Sequence, residues 1–283
     1  MKKKGALVIL IIFLLVGYLF LTEKLNATRD AFLEEKFVEY TIPSQLIGPL
    51  SLEFKGLASD FLLVKFMTFI GGRTQQLNSF NDEDWRSVEN TLDTITDLDP
   101  YYWDAYMFAQ IFLTWDENNY MSANRLLEKA EKHITENFRI PYYIGLNYYN
   151  FAKDYKNGYK YIMKAAKLPD SPFYLASLAA RFAAYSSDYE RGVVFLDEML
   201  KQTSDPEIAE QYKLRIRTLK IMYQLEQVVE RFRNKFDRLP SDLSELIQVG
   251  MINDLPDDPY GGKFYIKEDG KIATTSKMHK YFK

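Results

Sequence analysis

A chain of 283 residues, 47% hydrophobic and 27% charged, has the balance of a folded protein with room for one large or two modest domains, which excludes disorder for most of its length. The formal net charge of −3 becomes more acidic once Lys2, Lys3 and Lys4 are set aside, so no basic footprint for nucleic acid is present. With no cysteine, disulfides, thiolate metal sites, a cysteine nucleophile and a lipid-modified N-terminal Cys are all excluded.

The three lysines precede an unbroken apolar run from Gly5 to Leu21. A helix over residues 5–21 rises about 26 Å, close to the thickness of a bilayer's hydrocarbon core. A cleaved signal peptide is the competing reading, but the TEKLNATRD that follows offers a poor cleavage site. A cut after Ala27 would put bulky Leu25 at the third position back. The expectation is an uncleaved transmembrane anchor over residues 1–24. The lysines hold its N-terminus in the cytoplasm, which makes the chain a single-pass protein of the inner membrane with a periplasmic, extracytoplasmic body.

Residues 25–50 read as a linker with a short helix from Asp30 to Tyr40, closed by Pro43, Gly48 and Pro49. From Leu50 onward Leu52, Leu57, Phe61, Val64, Met67 and Phe69 recur at helical spacing, and Gly71-Gly72 predicts a bend or break.

A repeat then governs the chain from 51 to 208. Steps of three, four and three residues from Trp85 reach Val88, Leu92 and Ile95; the same steps from Tyr120 reach Ala123, Leu127 and Ala130. From Tyr155 they reach Gly158, Ile162 and Ala165, and from Tyr189 they reach Gly192, Leu196 and Met199. The anchors recur about every 34 residues. Asp99-Pro100, Ile140-Pro141, Ser171-Pro172 and Asp205-Pro206 follow the second helix of each unit, where proline stops one helix and opens the next. Asn118-Asn119, Lys153-Asp154 and Ser187-Asp188 supply inter-helix turns, and Gly145-Leu146 is a close-packing pair on a first helix. The pattern resembles the tetratricopeptide (TPR) family, with Gln110-Ile111 and Ala179-Ala180 standing where that family favours Leu-Gly. The resemblance implies a mainly α fold, a TPR-like α-solenoid of helix hairpins that binds proteins.

The last part, 209–283, changes character. A long helix is predicted from Ala209 to Phe236, with Leu214, Ile221, Leu225, Val228, Phe232 and Phe236 on one stripe. Ser241 is placed to cap a short helix through Val249 that ends at Gly250. Phe264-Tyr265-Ile266 and Lys271-Ile272-Ala273 flank Glu268-Asp269-Gly270 and predict a small β-hairpin. Such a hairpin must bury a face, and the expectation is that Phe264 and Ile266 lie on the long helix over Phe232 or Phe236. F-x-x-L-P at Phe236–Pro240 and L-P-x-D-P-Y-G-G at Leu255–Gly262 resemble the C-terminal part of the major pseudopilins of type II secretion. In that family the long helix continues from the membrane segment, whereas here the repeats intervene, so pilin-like polymerisation is not expected.

No catalytic or nucleotide-binding motif occurs. Neither His133 nor His279 has a metal-ligand partner at helical spacing. Asp254, Asp257, Asp258 and Asp269 surround the Pro-Gly loop; carboxylates in tight loops suit Ca²⁺, and the pseudopilin resemblance implies calcium in such loops, making Asp257, Asp258 and Asp269 the candidate metal ligands. Among the aromatic residues between Tyr142 and Tyr161, half are expected in the hairpin core, with Tyr143 and Asn147 as candidates for a partner-binding groove. The resulting expectation is a non-enzymatic scaffold for protein partners in an envelope secretion, pilus or export complex. The alternatives are an accessory or unrecognised enzyme of cell-envelope or polysaccharide metabolism, and a homo-oligomer built through edge hairpins.

Overall fold

The computed structural model describes residues 13–26, 44–75, 80–114, 119–186, 188–276 and 278. The chain falls into two compact units, Met1–His133 and Ile134–Lys283. The boundary lies inside the expected repeat array, between its second and third hairpins. Both units are mainly helical, and the second ends in a small antiparallel sheet.

In the first unit residues 13–26 form helix α1. Residues 5–12 of the expected anchor and the short helix expected at 30–40 lie outside the described residues. Among the described residues no helix is long and apolar enough to cross a membrane. Helices α2 (Ser44–Ser51), α3 (Lys55–Gln75), α4 (Asp82–Leu98), α5 (Trp103–Leu113) and α6 (Tyr120–Glu131) follow. Helix α3 runs through Gly71 and Gly72 as one helix, so the expected break does not occur there. Helix α4 opens with a reciprocal cap, in which Asn81 Oδ1 accepts the Glu83 and Asp84 N–H groups and the Asp84 carboxylate accepts the Asn81 N–H at 3.1 Å. α3 packs on α4, α4 on α5 and α5 on α6. Arg125 and Lys129 of α6 reach back to α4, where Asp93 accepts from both at 3.1 and 3.0 Å.

In the second unit α7 (Arg139–Asn147) passes into a π-helical turn, Tyr148–Ala152, before α8 (Tyr155–Ala166), α9 (Tyr174–Tyr185), α10 (Tyr189–Gln202), the long α11 (Pro206–Phe236) and α12 (Leu243–Gln248). Each of α7 to α11 packs on the next in chain order. This neighbour-to-neighbour stacking fits a solenoid.

The repeat register read from the sequence is the one observed. Val88, Leu92, Ile95, Ala123, Leu127, Ala130, Gly158, Ile162, Ala165, Gly192 and Leu196 are all buried, as is the anchor Tyr189, while Met199 and the anchors Trp85, Tyr120 and Tyr155 are half-buried. The small residues permit very close helix approach. A Cβ on Gly145 would lie 2.8 Å from Ile162 Cγ1 and Cδ1 and 3.0 Å from the Gly158 carbonyl; one on Gly192 would lie 3.1 Å from the Ala180 carbonyl. Pro206 opens α11 behind Asp205, whose carboxylate accepts the Glu207 N–H at 2.8 Å. Pro141 sits in the first turn of α7, where its missing N–H costs nothing.

Strand β1 (Phe264–Ile266) pairs with β2 (Ile272–Thr274), Tyr265 facing Ala273. The hairpin meets α11 chiefly through β2, and β1 meets α12. Ile272, at 3% exposure, is the strand residue driven into the core, while Phe264 and Ile266 are half-buried against it. Phe264 and Ile266 thus pack on the core that includes Phe232, as expected, with Ile272 the most deeply buried residue of the hairpin. The Glu226 carboxylate of α11 ties the joint together, accepting the Tyr189 hydroxyl at 2.6 Å and the Ile272 N–H at 2.9 Å. At the start of α12 the cap is Asp242 in place of Ser241, accepting the Ser244 N–H at 2.7 Å.

Candidate functional site

The groove candidates separate. Tyr143 is half-buried, with its ring 5.4 Å from that of Tyr142. Asn147, at 1% exposure, belongs to the interior and presents nothing to a groove. The reason is local: within α7 Asn147 lies three residues after Ile144 and seven after Ile140, both fully buried, so it shares their core-facing stripe. Of the neighbouring aromatics, Tyr149 stacks on Phe182 with centroids 4.4 Å apart, and Tyr159 is buried.

The acidic loop is organised by its own donors. Asp258 is buried, and its carboxylate accepts the Tyr260 N–H at 2.9 Å, the Gly262 N–H at 3.2 Å and the Thr274 hydroxyl. Burial pushes the Asp258 carboxyl up, but these hydrogen bonds, with one from Ser276, prevail and hold it below the usual carboxylate range. Asp257 is exposed, and Asp269 caps the hairpin turn by accepting the Lys271 N–H at 3.0 Å. Among the described residues no group of three or more His, Cys, Asp or Glu is placed to hold a metal ion, so the three aspartates do not assemble into a ligand set.

The first unit carries an exposed apolar surface. Leu57, Phe61, Val64 and Met67, which recur at helical spacing in the sequence, are exposed, Phe61 at 68%. The buried side of α3 is Leu62, Leu63, Phe66 and Ile70, with Phe66 lying 5.7 Å from Phe108 and 5.6 Å from Phe112 of α5. Leu46, Leu50, Leu52 and Phe54 extend the exposed apolar character along the adjoining segment. A helix that is apolar on both sides ordinarily has both sides covered, and contiguous exposed apolar surface marks a site of protein or membrane contact.

The second unit holds a cavity of about 310 Å³ between α9, α11 and the tail. Phe173, Tyr174, Leu178, Leu214, Tyr260 and Met278 supply apolar walls, and Arg181 and Arg215 supply charge. Arg215 is 6% exposed; its Nη2 donates to the Met278 carbonyl at 2.6 Å, and its guanidinium lies 5.2 Å from the centre of the Tyr260 ring. No sequence motif announced this site, because its walls come from three segments far apart in the chain.

No family model matches the chain, and no curated protein matches it. Among solved structures, a chain titled "MamA RS-1 ArsTM double mutant" matches at 17% identity, over 57% of this chain and 96% of that one, with a TM-score of 0.34. That likeness is too distant to establish a family or a function.

Proposed function

We propose that the protein is a membrane-tethered scaffold of tetratricopeptide type that holds protein partners outside the cytoplasm and catalyses no reaction. The observation that carries this reading is the exposed apolar face of α3, Leu57, Phe61, Val64 and Met67, on a helix whose other side is already packed. Such a face suits the apolar stripe of a partner helix laid along it. The helical register through α4, α6, α8 and α10 supports the repeat type. The apolar run at 5–21 behind three lysines supports the tether and its orientation. The pseudopilin-like motifs at Phe236–Pro240 and Leu255–Gly262 favour a secretion, pilus or export complex of the envelope as the setting.

A photo-crosslinking residue at position 61 of the full chain, in native membranes, tests the reading. The expected result is a discrete protein adduct at 61 and none at exposed Val194. Phe61→Glu should leave the melting temperature unchanged and abolish the adduct-bearing complex on native gels. Adducts to lipid alone would refute the partner. An alkaline-phosphatase fusion after Lys283 should be active; an inactive one, or release of a shortened soluble chain, would refute the topology.

A further inference from the structure

The cavity between α9, α11 and the tail brings two guanidinium groups to one wall. Arg181 makes no hydrogen bond or ion pair with a described residue, and its Nε is buried without a partner. The Nε of Arg215 is likewise buried and unpartnered, although its two terminal nitrogens reach the Met278 sulfur and carbonyl oxygen, both at 2.6 Å. Each guanidinium is a planar array of five donors that is always charged, and burying such a donor without an acceptor is costly.

The surroundings do not neutralise the pair. Among the described residues Arg215 is flanked by Tyr260, Arg181, Tyr185 and Asp258, of which Asp258 is the carboxylate. That carboxylate is committed to the Tyr260 and Gly262 N–H groups and to Thr274, and it forms no ion pair with either arginine. Burial, and then the like charge of Arg181, lower the pKa of Arg215 from its ordinary value, with Tyr260, Tyr185 and Asp258 opposing. Two positive charges therefore stand at the wall of a cavity of about 310 Å³ whose remaining lining is largely apolar and aromatic. Sites that take small ligands combine apolar walls with a few convergent polar groups in this way. Guanidinium pairs recognise carboxylate and phosphate by paired N–H···O bonds.

We propose that this cavity binds an oxyanion, a carboxylate or phosphate group, through Arg181 and Arg215, with the apolar wall of Leu178 and Leu214 and the rings of Phe173, Tyr174 and Tyr260 taking an adjoining apolar group when the ligand carries one. Occupation would supply an acceptor to the two unpartnered Nε atoms and relieve the repulsion between the guanidiniums. The inference concerns the second unit and does not depend on the partner face of α3.

Calorimetric titration of the full chain in detergent, at matched ionic strength, tests it with three probes: inorganic phosphate, a short peptide ending in Phe with a free carboxylate, and the same peptide as its C-terminal amide. Saturable binding of the acid peptide or of phosphate, weaker by about tenfold or more in Arg181→Gln, would support the site, and the probe that binds identifies which oxyanion it takes. Arg181 makes no hydrogen bond or ion pair with a described residue that the change would break, so this variant should melt close to wild type; Arg181→Lys, which keeps the charge but loses the fork, should recover only part of the affinity. Absence of saturable binding for both oxyanions, equal binding of the bound oxyanion to Arg181→Gln, or saturable binding of acid and amide peptides with equal affinity would overturn the proposal. In each of those cases the crosslink at position 61 would still form if the scaffold reading is right, so the two failures are distinguishable.

Discussion

Replacing Gly145 with alanine tests the close helix packing directly. In an exposed helix interior the exchange stabilises by about 1 kcal/mol, because glycine has more backbone freedom to lose. At Gly145 the new methyl would stand 2.8 Å from two carbons of Ile162 and 3.0 Å from the Gly158 carbonyl, against an optimum near 3.5–4.0 Å between carbons. Ile162 is fully buried in α8, and a β-branched side chain in a helix has one strongly preferred rotamer, so it cannot swing aside. The carbonyl belongs to the helix backbone and yields only if α7 and α8 move apart. Overpacking of this kind costs about 1–3 kcal/mol. Offset by the helix gain of about 1 kcal/mol, the net effect is a loss of up to about 2 kcal/mol. At Gly71 in α3, by contrast, a Cβ meets nothing within 4 Å, and the same exchange should stabilise. Urea unfolding of the full chain, followed by reporters placed in each unit, reads both effects. If Gly145→Ala raised the midpoint of the second unit as much as Gly71→Ala raises that of the first, the close approach of α7 and α8 would be refuted.

Three further outcomes are expected. Ala123→Glu, which puts a carboxylate at a position with 0% exposure, should cost several kcal/mol in thermal unfolding, on the order of 3–5. Glu226→Ala strands the Tyr189 hydroxyl and the Ile272 N–H, and should cost about 1–3 kcal/mol while raising amide exchange at Ile272 and Ala273. Asp258 has a folded pKa below its unfolded value, so its contribution is complete above the ordinary carboxylate range and is lost as pH falls through the depressed folded pKa. Acid titration followed by the amide resonances of Tyr260 and Gly262 should show the loop loosening in that window, and Asp258→Asn should remove the pH dependence.

The second helices of the hairpins were legible because their anchors, three-four-three steps and following prolines are all local signals. The face of α3 was not: Leu57, Phe61, Val64 and Met67 form as good a helical stripe as Leu62, Phe66 and Ile70, and periodicity cannot rank two apolar faces of one helix. Gly71 and Gly72 read as a break because glycine weakens an isolated helix, yet Phe66 and Ile70 are buried in the turns before them and α3 continues to Gln75. Asp258 looked like a cation ligand because a carboxylate in a turn reads the same whether its acceptor sites meet a metal or backbone N–H groups. Asn147 read as a groove residue because its side chain is polar, although it follows Ile140 and Ile144 at core spacing on α7. The arginine cavity left no trace in the sequence, since Arg181, Arg215 and Tyr260 come together only when α9, α11 and the tail pack.

The placement of Ile272 on α11 bears on how far such a stack can grow. Every helix from α8 to α10 has a neighbour before and after it, and a helical repeat array stays open to elongation wherever its last helix shows a bare apolar side. Here that side of α11 meets β2 and α12, with Ile272 and Leu246 filling the place where a further helix would dock. The hairpin thus behaves as a cap: the side of α11 that would carry the next helix of a longer array is taken by β2 and α12, so the stack ends on the residues that keep its last helix dry.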